Sequence, residues 1–259
     1  HTVHQSRLLI VEAQMPLLDA LTDSDGDGVA DSDEGLADPD GDGIPAYLDN
    51  IHDSRIQPLA SGDQGPALRH ALVSEAGITL VPGEHARRSG RHGVRIYSNE
   101  LPVDNEYSLI GAAYDFELHG LSEAVRTTRL VVPLLQPIPP RAVWRKHDGT
   151  DWHDFVQGGT DDIFSSASVD GQCPPANATT WQPGLGRGLD CVLLQITDGG
   201  ANDADGEANG VIRDPSGVAV PRAVADDGAA PTRPANRVGT LTLFGVWILT
   251  LLWVRRRAG

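Results

Sequence analysis

The sequence predicts a mainly β protein, an antiparallel β-sandwich that is preceded by acidic loops and followed by a single C-terminal transmembrane helix. Aspartates recur at every second position within residues 21–53. Short apolar stretches separated by Gly, Pro, Asn and Asp then run to about residue 220, which is typical of a loop-rich β protein. An uncharged apolar run of 17 residues follows near the C-terminus and ends in three arginines.

Composition limits the size of the core and the kinds of partner. A chain of 259 residues with 40% hydrophobic residues can bury a core of ordinary domain size. The formal net charge of -16 argues against a nucleic-acid partner, because phosphates require Lys and Arg. The same charge agrees with the binding of cations.

Residues 1–20 contain an apolar run that is followed by Pro16, which argues against one continuous helix. We interpret these residues as a linker or the end of an upstream module. The chain begins with His1 and shows no signal peptide, so we expect it to come from a longer or processed precursor.

The first acidic loop carries oxygen-bearing side chains at the positions that a calcium loop requires. Ca²⁺ takes about six to eight oxygen ligands, and alternate aspartates with a glycine at the turn let those oxygens converge on one ion. Gly28 supplies the turn, and the next residue offers its carbonyl. The predicted ligands are Asp23, Asp25, Asp27, Val29, Asp31 and Glu34.

A second loop starts fifteen residues later and repeats the pattern around Gly43. Ala46 stands where one ligand is missing, so we expect water to complete the site or the two loops to share ligands. The segment between the loops, residues 35–37, is too short for the helices that flank an EF-hand loop. The predicted ligands of the second loop are Asp38, Asp40, Asp42, Ile44 through its carbonyl, and Asp49.

Tandem acidic loops at this pitch resemble thrombospondin type 3 repeats, whose short units wrap around calcium ions with little other core. The resemblance covers residues 21–53 and implies a stalk that calcium stiffens. The alternative is a solvated acidic linker, since blocks of like charge are often disordered. Gly28 and Gly43 stand at the same phase of the two loops, which favours calcium.

Short apolar runs in residues 54–220 predict a set of strands without intervening helices. Such strands at regular spacing indicate a two-sheet sandwich, with Trp144 and Trp152 filling its core or capping its end. Prolines from position 133 onwards would end the fourth strand or confine it to a sheet edge. The predicted strands are residues 77–81, 93–97, 113–118, 128–135, 142–146 and 191–197.

Cys173 and Cys191 are the two cysteines of the chain, and no further His or Cys stands at zinc spacing. We therefore predict that they form a disulfide. Closing a loop of this size would stabilise the fold by about 3 kcal/mol and implies an oxidising compartment.

Several segments of the predicted sandwich carry a family likeness. They are residues 114–118 (YDFEL), 132–134 (VPL), 138–146 (IPPRAVWRK), 152–155 (WHDF) and 197–215. Together they resemble the bacterial choice-of-anchor U domain, over residues 70–217 and including the cysteine pair. In that family the domain precedes one of several alternative C-terminal sorting signals, which implies an exported envelope protein and no catalytic residues.

Residues 203–210 alternate oxygen-bearing side chains and end in glycine, which resembles the start of a calcium loop with Asp214 downstream. The alternative is a polar turn that closes the last hairpin. The predicted ligands are Asp203, Asp205, Glu207 and Asn209.

Residues 221–237 are rich in Pro and Ala and are predicted to be a flexible linker. Residues 238–259 are predicted to be a hydrophobic anchor with an Arg-rich end, in which residues 238–254 enter the membrane. As a helix those residues reach about 25 Å against a hydrocarbon core of ~30 Å, so spanning requires local thinning or arginine snorkelling. A buried soluble helix is the alternative.

An apolar C-terminal segment that ends in arginines resembles the bacterial sorting signals of the PEP-CTERM and GlyGly-CTERM kinds. Those signals imply cleavage by a sortase-like intramembrane enzyme. Residues 237–240 (RVGT) carry neither the Pro-Glu-Pro signature nor a Gly-Gly pair, so retention as a plain membrane anchor is the other expectation.

The best local candidates for a catalytic triad are His147-Asp148 and His153-Asp154 together with Ser165 and Ser166. The sequence contains no G-x-S-x-G elbow, H-E-x-x-H pair, P-loop or G-x-G-x-x-G. Histidines in loops at strand ends are usually solvated, and we predict a protein without enzymatic activity.

These features together predict a non-enzymatic, calcium-stabilised protein of the bacterial cell surface, anchored in the membrane. Its parts would be the linker 1–20, the calcium repeats 21–53, the sandwich 54–220, the linker 221–237 and the anchor 238–259. One alternative is a calcium-dependent adhesion module that binds glycan or protein. Another is the attachment region of an anchored hydrolase whose catalytic domain lies upstream. The surface ligand is unknown.

Overall fold

Antiparallel β-strands account for most of the regular structure in the residues that the computed structural model describes, which are 16–60, 70–88 and 93–222. Helices are few and short there: α1 (Asp31–Glu34), the 3-10 helix Ala46–Leu48, and α2 (Glu84–Arg88). The prediction of a mainly β protein with antiparallel sheets is confirmed.

The strands of the described residues range from two to eleven residues in length. In chain order they are β1 (Ile56–Pro58), β2 (Ala71–Ser74), β3 (Thr79–Pro82), β4 (Arg95–Ile96), β5 (Tyr107–Leu109), β6 (Ala113–His119), β7 (Thr127–Pro133), β8 (Val143–His147), β9 (Trp152–Asp154), β10 (Asp162–Ser166), β11 (Gln182–Pro183), β12 (Cys191–Thr197) and β13 (Val211–Pro221).

The strands form two sheets. The first has six strands in the order β1-β2-β7-β12-β10-β11. The second has seven strands, in which β3-β6-β13-β8-β9 form the main path, β4 pairs with β6, and β5 pairs with β13. Alternation along the strands sends every second side chain to one face of each sheet.

One hydrophobic core takes side chains from both sheets. The first sheet contributes Leu72 and Leu194 among others, and the second contributes Phe116 and Ile212; all four are fully buried. Trp144 belongs to the same core and is 2% exposed. Burial of apolar side chains between the sheets is the main source of stability for this part of the chain.

A second, smaller apolar cluster lies on the other face of the seven-stranded sheet. It contains Ala86 of α2 and Ala113 of β6, and Trp152 of β9 packs against it. The indole of Trp152 donates to the carbonyl of Pro102 at 2.7 Å. The cluster therefore removes apolar side chains on this face of the sheet from water.

The six predicted strands correspond to β3, β4, β6, β7, β8 and β12, and for β12 the predicted and observed bounds agree. Pro133 ends β7, as expected, but β7 lies between β2 and β12 rather than at an edge. A terminal proline costs no ladder hydrogen bond, so it is compatible with a central strand.

The longest strand, β13, was not predicted. It runs through Pro215, which pairs with Asp115 of β6, and pairing with β8 begins only at the next residue. A proline in the middle of a run normally argues against a central strand because it cannot donate a hydrogen bond. The change of partner next to Pro215 explains how β13 accommodates it.

Cys173 and Cys191 form the predicted disulfide. Among the described residues, no helix has the length and apolar character that crossing a membrane requires. The predicted linker 1–20 lies partly, and the predicted anchor 238–259 wholly, outside the described residues.

Candidate metal centres

The two acidic loops have the same backbone hydrogen bonds at a spacing of fifteen residues. Asp23 accepts the amides of Gly26 at 2.7 Å and Gly28 at 3.1 Å through its two carboxylate oxygens. Asp38 accepts the amides of Gly41 at 2.8 Å and Gly43 at 3.0 Å in the same way. All four glycines have positive φ, a conformation that other residues adopt only with strain.

The remaining aspartates of each loop cap the backbone two residues further on. Asp27 accepts the amide of Val29 at 2.7 Å, and Asp42 accepts the amide of Ile44 at 2.8 Å. Each of these bonds uses Oδ1. Such local side-chain to backbone bonds explain why a sequence rich in Asp and Gly adopts these turns without a core of its own.

The turns bring three carboxylates together in each loop. One ligand oxygen from each member of a cluster lies within 4.8 Å of the others. The first cluster is Asp23, Asp25 and Asp27, and the second is Asp38, Asp40 and Asp42. Oxygens that converge in this way are the ligands that Ca²⁺ and other hard cations take.

Each loop also presents buried carboxylate oxygens that have no hydrogen-bond partner. In the first loop these atoms are Asp25 Oδ2 and Glu34 Oε2. In the second they are Asp40 Oδ2 and Asp49 Oδ2. Because a buried acceptor without a donor is costly, these oxygens fit a site that a cation completes. Glu34 and Asp49 hold the equivalent last position of the two loops, as predicted.

The raised pKa values of carboxyl groups in both loops agree with sites that a cation completes. Burial, followed by repulsion from Asp25 and other aspartates of its loop, raises the pKa of Glu34 to about 7. Burial is also the largest cause of the raised pKa of Asp42, at about 9, and of Asp49, at about 6. A bound cation would favour the ionised carboxylates and lower these pKa values.

The two loops are connected to each other. Asn50 Nδ2 donates to the carbonyl of Asp25 at 3.1 Å. The carboxylate of Asp49 is repelled both by Asp40 in its own loop and by Asp25 in the other loop. The two loops are therefore close enough for a hydrogen bond and for electrostatic repulsion between their carboxylates.

The second loop is also bonded to the β-sheet. Gln57 of β1 donates from Nε2 to the carbonyl of Asp42 at 2.9 Å and to its Oδ2 at 2.7 Å. Neither Gln57 nor Asn50 was predicted from the sequence, since a lone amide residue outside the loop pattern carries no signal of its own.

Some predicted ligands lie differently from the rest of their loop. Both carboxylate oxygens of Asp31 accept hydrogen bonds from Ser24, one from its amide and one from its hydroxyl, each at 2.8 Å. Asp31 therefore stabilises the turn of the first loop by hydrogen bonds with Ser24. Val29 and Ile44, whose carbonyls were predicted to bind, each lie two residues after the last aspartate of their cluster. Ile44 is fully buried.

Residues 203–209 are not brought together as a metal cluster among the described residues. The carboxylate of Asp203 accepts the amides of Gly199 and Arg213, at 2.9 and 3.0 Å. Asp205 accepts the amide of Glu207 and the side chain of Asn209, and it also pairs with Arg213 at 3.0 Å. This geometry favours the alternative of a polar turn that leads into β13.

Two of the side chains considered for a catalytic triad, Ser165 and His147, make hydrogen bonds to the backbone. Ser165 Oγ donates to the carbonyl of Gly184 at 2.7 Å. His147 Nδ1 accepts the amide of Gly149 at 3.1 Å. Ser165 and His147 belong to different sheets, on β10 and β8.

Comparisons of the chain with protein-family models, with curated proteins and with solved structures found no match. The geometry of the acidic loops is thus the observation from which function can be argued.

Proposed function

We propose that this protein is a non-enzymatic, calcium-stabilised surface protein of the bacterial envelope. In this proposal the two acidic loops each bind one calcium ion and become a rigid extension of the β-sheets. The observation that carries it is the same in both loops: three converging carboxylates accompanied by a buried oxygen of Glu34 or Asp49 that has no hydrogen-bond partner.

The ion at the first loop would be held by the Asp23, Asp25 and Asp27 cluster and by Glu34. The ion at the second loop would be held by the Asp38, Asp40 and Asp42 cluster and by Asp49. The turns place these carboxylates close together, so a bound ion would relieve the repulsion among like charges. Extracellular calcium modules commonly bind at ~10⁻⁴ to 10⁻³ M, which suits a structural role.

Two further observations support an exported protein. The disulfide is typical of an oxidising compartment. The apolar residues 238–254 and the arginines after them have the sequence pattern of an anchor, and the resemblance to choice-of-anchor U domains agrees with that pattern. Attachment to the membrane and processing by a sortase-like enzyme belong to this proposal.

The test is a calorimetric titration of the calcium-free full chain, combined with thermal unfolding. We expect two ions to bind and the melting temperature to rise. Glu34→Gln is expected to remove the first site and Asp49→Asn the second, each leaving the other site intact. Magnesium should compete poorly, since it requires a smaller octahedral site.

Asp33→Asn is the matched control. Asp33 lies next to Glu34 in α1, is exposed, and changes the net charge by the same amount when it is replaced. It should leave both sites intact. The absence of binding heat at millimolar calcium would contradict the proposal, as would equal losses in Glu34→Gln and Asp33→Asn.

A further inference from the structure

Lys146 is the only lysine in the sequence, whereas nineteen arginines make up the rest of the 20 Lys and Arg residues. It is also fully buried, at 0% exposure. Lysine is among the residues least often buried. All the remaining Lys and Arg positions of this chain are occupied by arginine. The two side chains differ chemically in that the amine of lysine can lose its proton and the guanidinium of arginine cannot. Lys146 thus offers a buried amine that can lose its proton, which the arginines of this chain cannot do.

The amine of Lys146 meets a carboxyl group that is equally buried. Lys146 lies on β8 and Asp214 on the neighbouring strand β13, where Lys146 pairs with Ser216 in the register. Nζ lies 2.7 Å from Oδ2 of Asp214, and both side chains have 0% exposure. The pair thus lies on the face of the seven-stranded sheet that packs into the hydrophobic core, the face that also carries Trp144 and Ile212.

The contact lacks the geometry of a hydrogen-bonded ion pair. Neither Nζ of Lys146 nor either carboxylate oxygen of Asp214 has a partner with hydrogen-bond geometry in the described part of the chain. A buried ion pair offsets the loss of hydration only when its remaining donors and acceptors are hydrogen-bonded. Burial, the largest influence on the Asp214 carboxyl, favours its neutral form, whereas its contacts with Lys146 and Ser216 favour the ionised form.

Charge on a carboxyl group is disfavoured in a site that has no contact with water. Burial is the largest cause of the raised pKa of Asp214. Transfer of one proton from the ammonium to the carboxylate, over the 2.7 Å contact, yields a neutral amine beside a neutral carboxylic acid. That is the combination from which an amide can form.

We propose that Lys146 and Asp214 condense to an intramolecular isopeptide bond between Nζ and the side-chain carboxyl carbon Cγ. The lone pair of the neutral amine attacks Cγ, a C–N bond forms, and a C–O bond breaks. The three protons of the original ammonium end as one amide N–H and two hydrogens of the released water. The charges of the pair cancel, and no oxidant, reductant or other reactant is required.

Two further ionisable side chains belong to the surroundings of the pair. His153 on β9 pairs with Lys146 in the register, and its buried Nδ1 has no hydrogen-bond partner among the described residues. Asp203 is 5% exposed, and the charge of Lys146 lowers the pKa of its carboxyl group. His153 also acts electrostatically on the Asp214 carboxyl, since its charge lowers the pKa of that group.

The bond would join β8 to β13 inside the sheet. The strand β13 also pairs with β5 and β6, and it is the last described element before residues 223–259. A covalent link there would prevent β13 from leaving the sheet when the C-terminal end is pulled. This inference depends on the pair alone and holds whether or not the acidic loops bind calcium.

The single lysine allows a direct test. The full chain is reduced, alkylated, denatured and digested with a protease that cleaves only after lysine. We expect the wild-type chain to remain uncut, because an acylated lysine is not a substrate. Asp214→Ala should be cut once, into residues 1–146 and 147–259, and this result does not depend on whether the variant folds. Asp162→Ala, a replacement of a different strand aspartate on β10, should remain uncut.

Mass spectrometry of a tryptic digest identifies the bond itself. The wild-type digest should contain a branched peptide that joins the Lys146 peptide to residues 214–222 and is lighter than their sum by one water. An intact mass that is lower by one water is insufficient, since Asp-Gly sequences can also dehydrate. Cleavage of the wild-type chain after Lys146 would overturn the proposal. An uncut Asp214→Ala variant would overturn it as well, because the resistance would not depend on Asp214.

Discussion

Gln57 of β1 donates two hydrogen bonds to Asp42 of the second acidic loop, to its carbonyl at 2.9 Å and to its Oδ2 at 2.7 Å. Both residues are fully buried. A predicted metal ligand is thus held by the edge strand of the six-stranded sheet, which connects the position of the loop to the fold of the β-sheets.

Replacement of Gln57 by leucine should weaken the second loop selectively. The carbonyl oxygen and Oδ2 of Asp42 would lose the donor that Gln57 provides, at a cost of about 1–3 kcal/mol. We expect lower calcium affinity at one of the two sites and a lower melting temperature, as measured by calorimetry. Gln182→Leu, at an exposed position of β11, serves as the control and should change neither quantity. Equal behaviour of the two variants would show that the Gln57 bonds do not position the site.

Removal of the disulfide should destabilise the β-sheets without affecting the acidic loops. Cys173 and Cys191 are separated by 18 residues, and a cross-link of that span stabilises by about 3 kcal/mol in the chain-entropy model. The double variant Cys173→Ser and Cys191→Ser should therefore unfold at a lower urea concentration. Calcium binding, measured below the unfolding range, should match that of the wild type. A midpoint equal to that of the wild type would contradict the expected stabilisation.

Replacement of Asp115 by asparagine should change how stability depends on pH. Burial raises the pKa of Asp115 to about 6, above the ordinary value of 3.8, although His85 opposes this effect. A carboxyl group with a raised pKa in the folded state contributes stability below pH 3.8 that is lost as the pH rises through 6. Asp115→Asn lacks that loss, because the amide does not ionise.

We therefore expect the free energy of unfolding of Asp115→Asn, relative to the wild type, to increase by about 2–3 kcal/mol between acidic and neutral pH. Urea unfolding at several pH values, in the presence of a chelator, measures this difference. The acidic loops titrate equally in both proteins, so their contribution cancels. A relative stability that stays constant across this range would disprove the assignment.

Loss of the Arg145 guanidinium should be strongly destabilising. Arg145 is 5% exposed and pairs with Asp104 at 2.8 Å and Asp154 at 2.7 Å, while it stacks over Tyr107 at 4.4 Å. Arg145→Met would leave the buried Asp104 carboxylate without its cation, at a cost of about 3–5 kcal/mol. Urea unfolding measures that loss.

Arg88 provides the comparison for Arg145, because it pairs with Glu84 on α2 where both side chains are largely exposed. Exposed ion pairs contribute about 1 kcal/mol or less, so Arg88→Met should be nearly neutral. Adding Asp104→Asn to Arg145→Met should recover part of the lost stability, since it removes the unpaired charge. Equal losses in the two arginine variants would contradict the role assigned to burial.

The acidic loops could be predicted almost completely from the sequence because their contacts are local. Asp23 and Asp38 bond to amides at most five residues away, and the glycines that permit these turns stand at fixed offsets. The strand β12 could be predicted for a similar reason, since it opens with four consecutive apolar residues, 191–194. Local spacing alone did not indicate that the oxygens of residues 203–205 bind backbone amides and Arg213, since those partners lie up to ten residues away.

The strand β13 was missed because its sequence contains Pro215 and charged residues, and its burial depends on β6 and β8. Gln57 was missed for a related reason: an amide side chain shows its role only when a loop fifteen residues upstream folds against it.

The sequence by itself determined the β class, the disulfide and the placement of the carboxylate clusters, since each depends on residue type and short-range spacing. It also shows that Lys146 is the only lysine. Only the tertiary structure decided which carboxyl group faces that lysine. Asp214 is distant from it in the chain, and the pairing of β8 with β13 brings the two side chains within 2.7 Å in a site without water exposure. The physical reason is that sheet register and burial arise from long-range packing, which spacing along the chain does not specify.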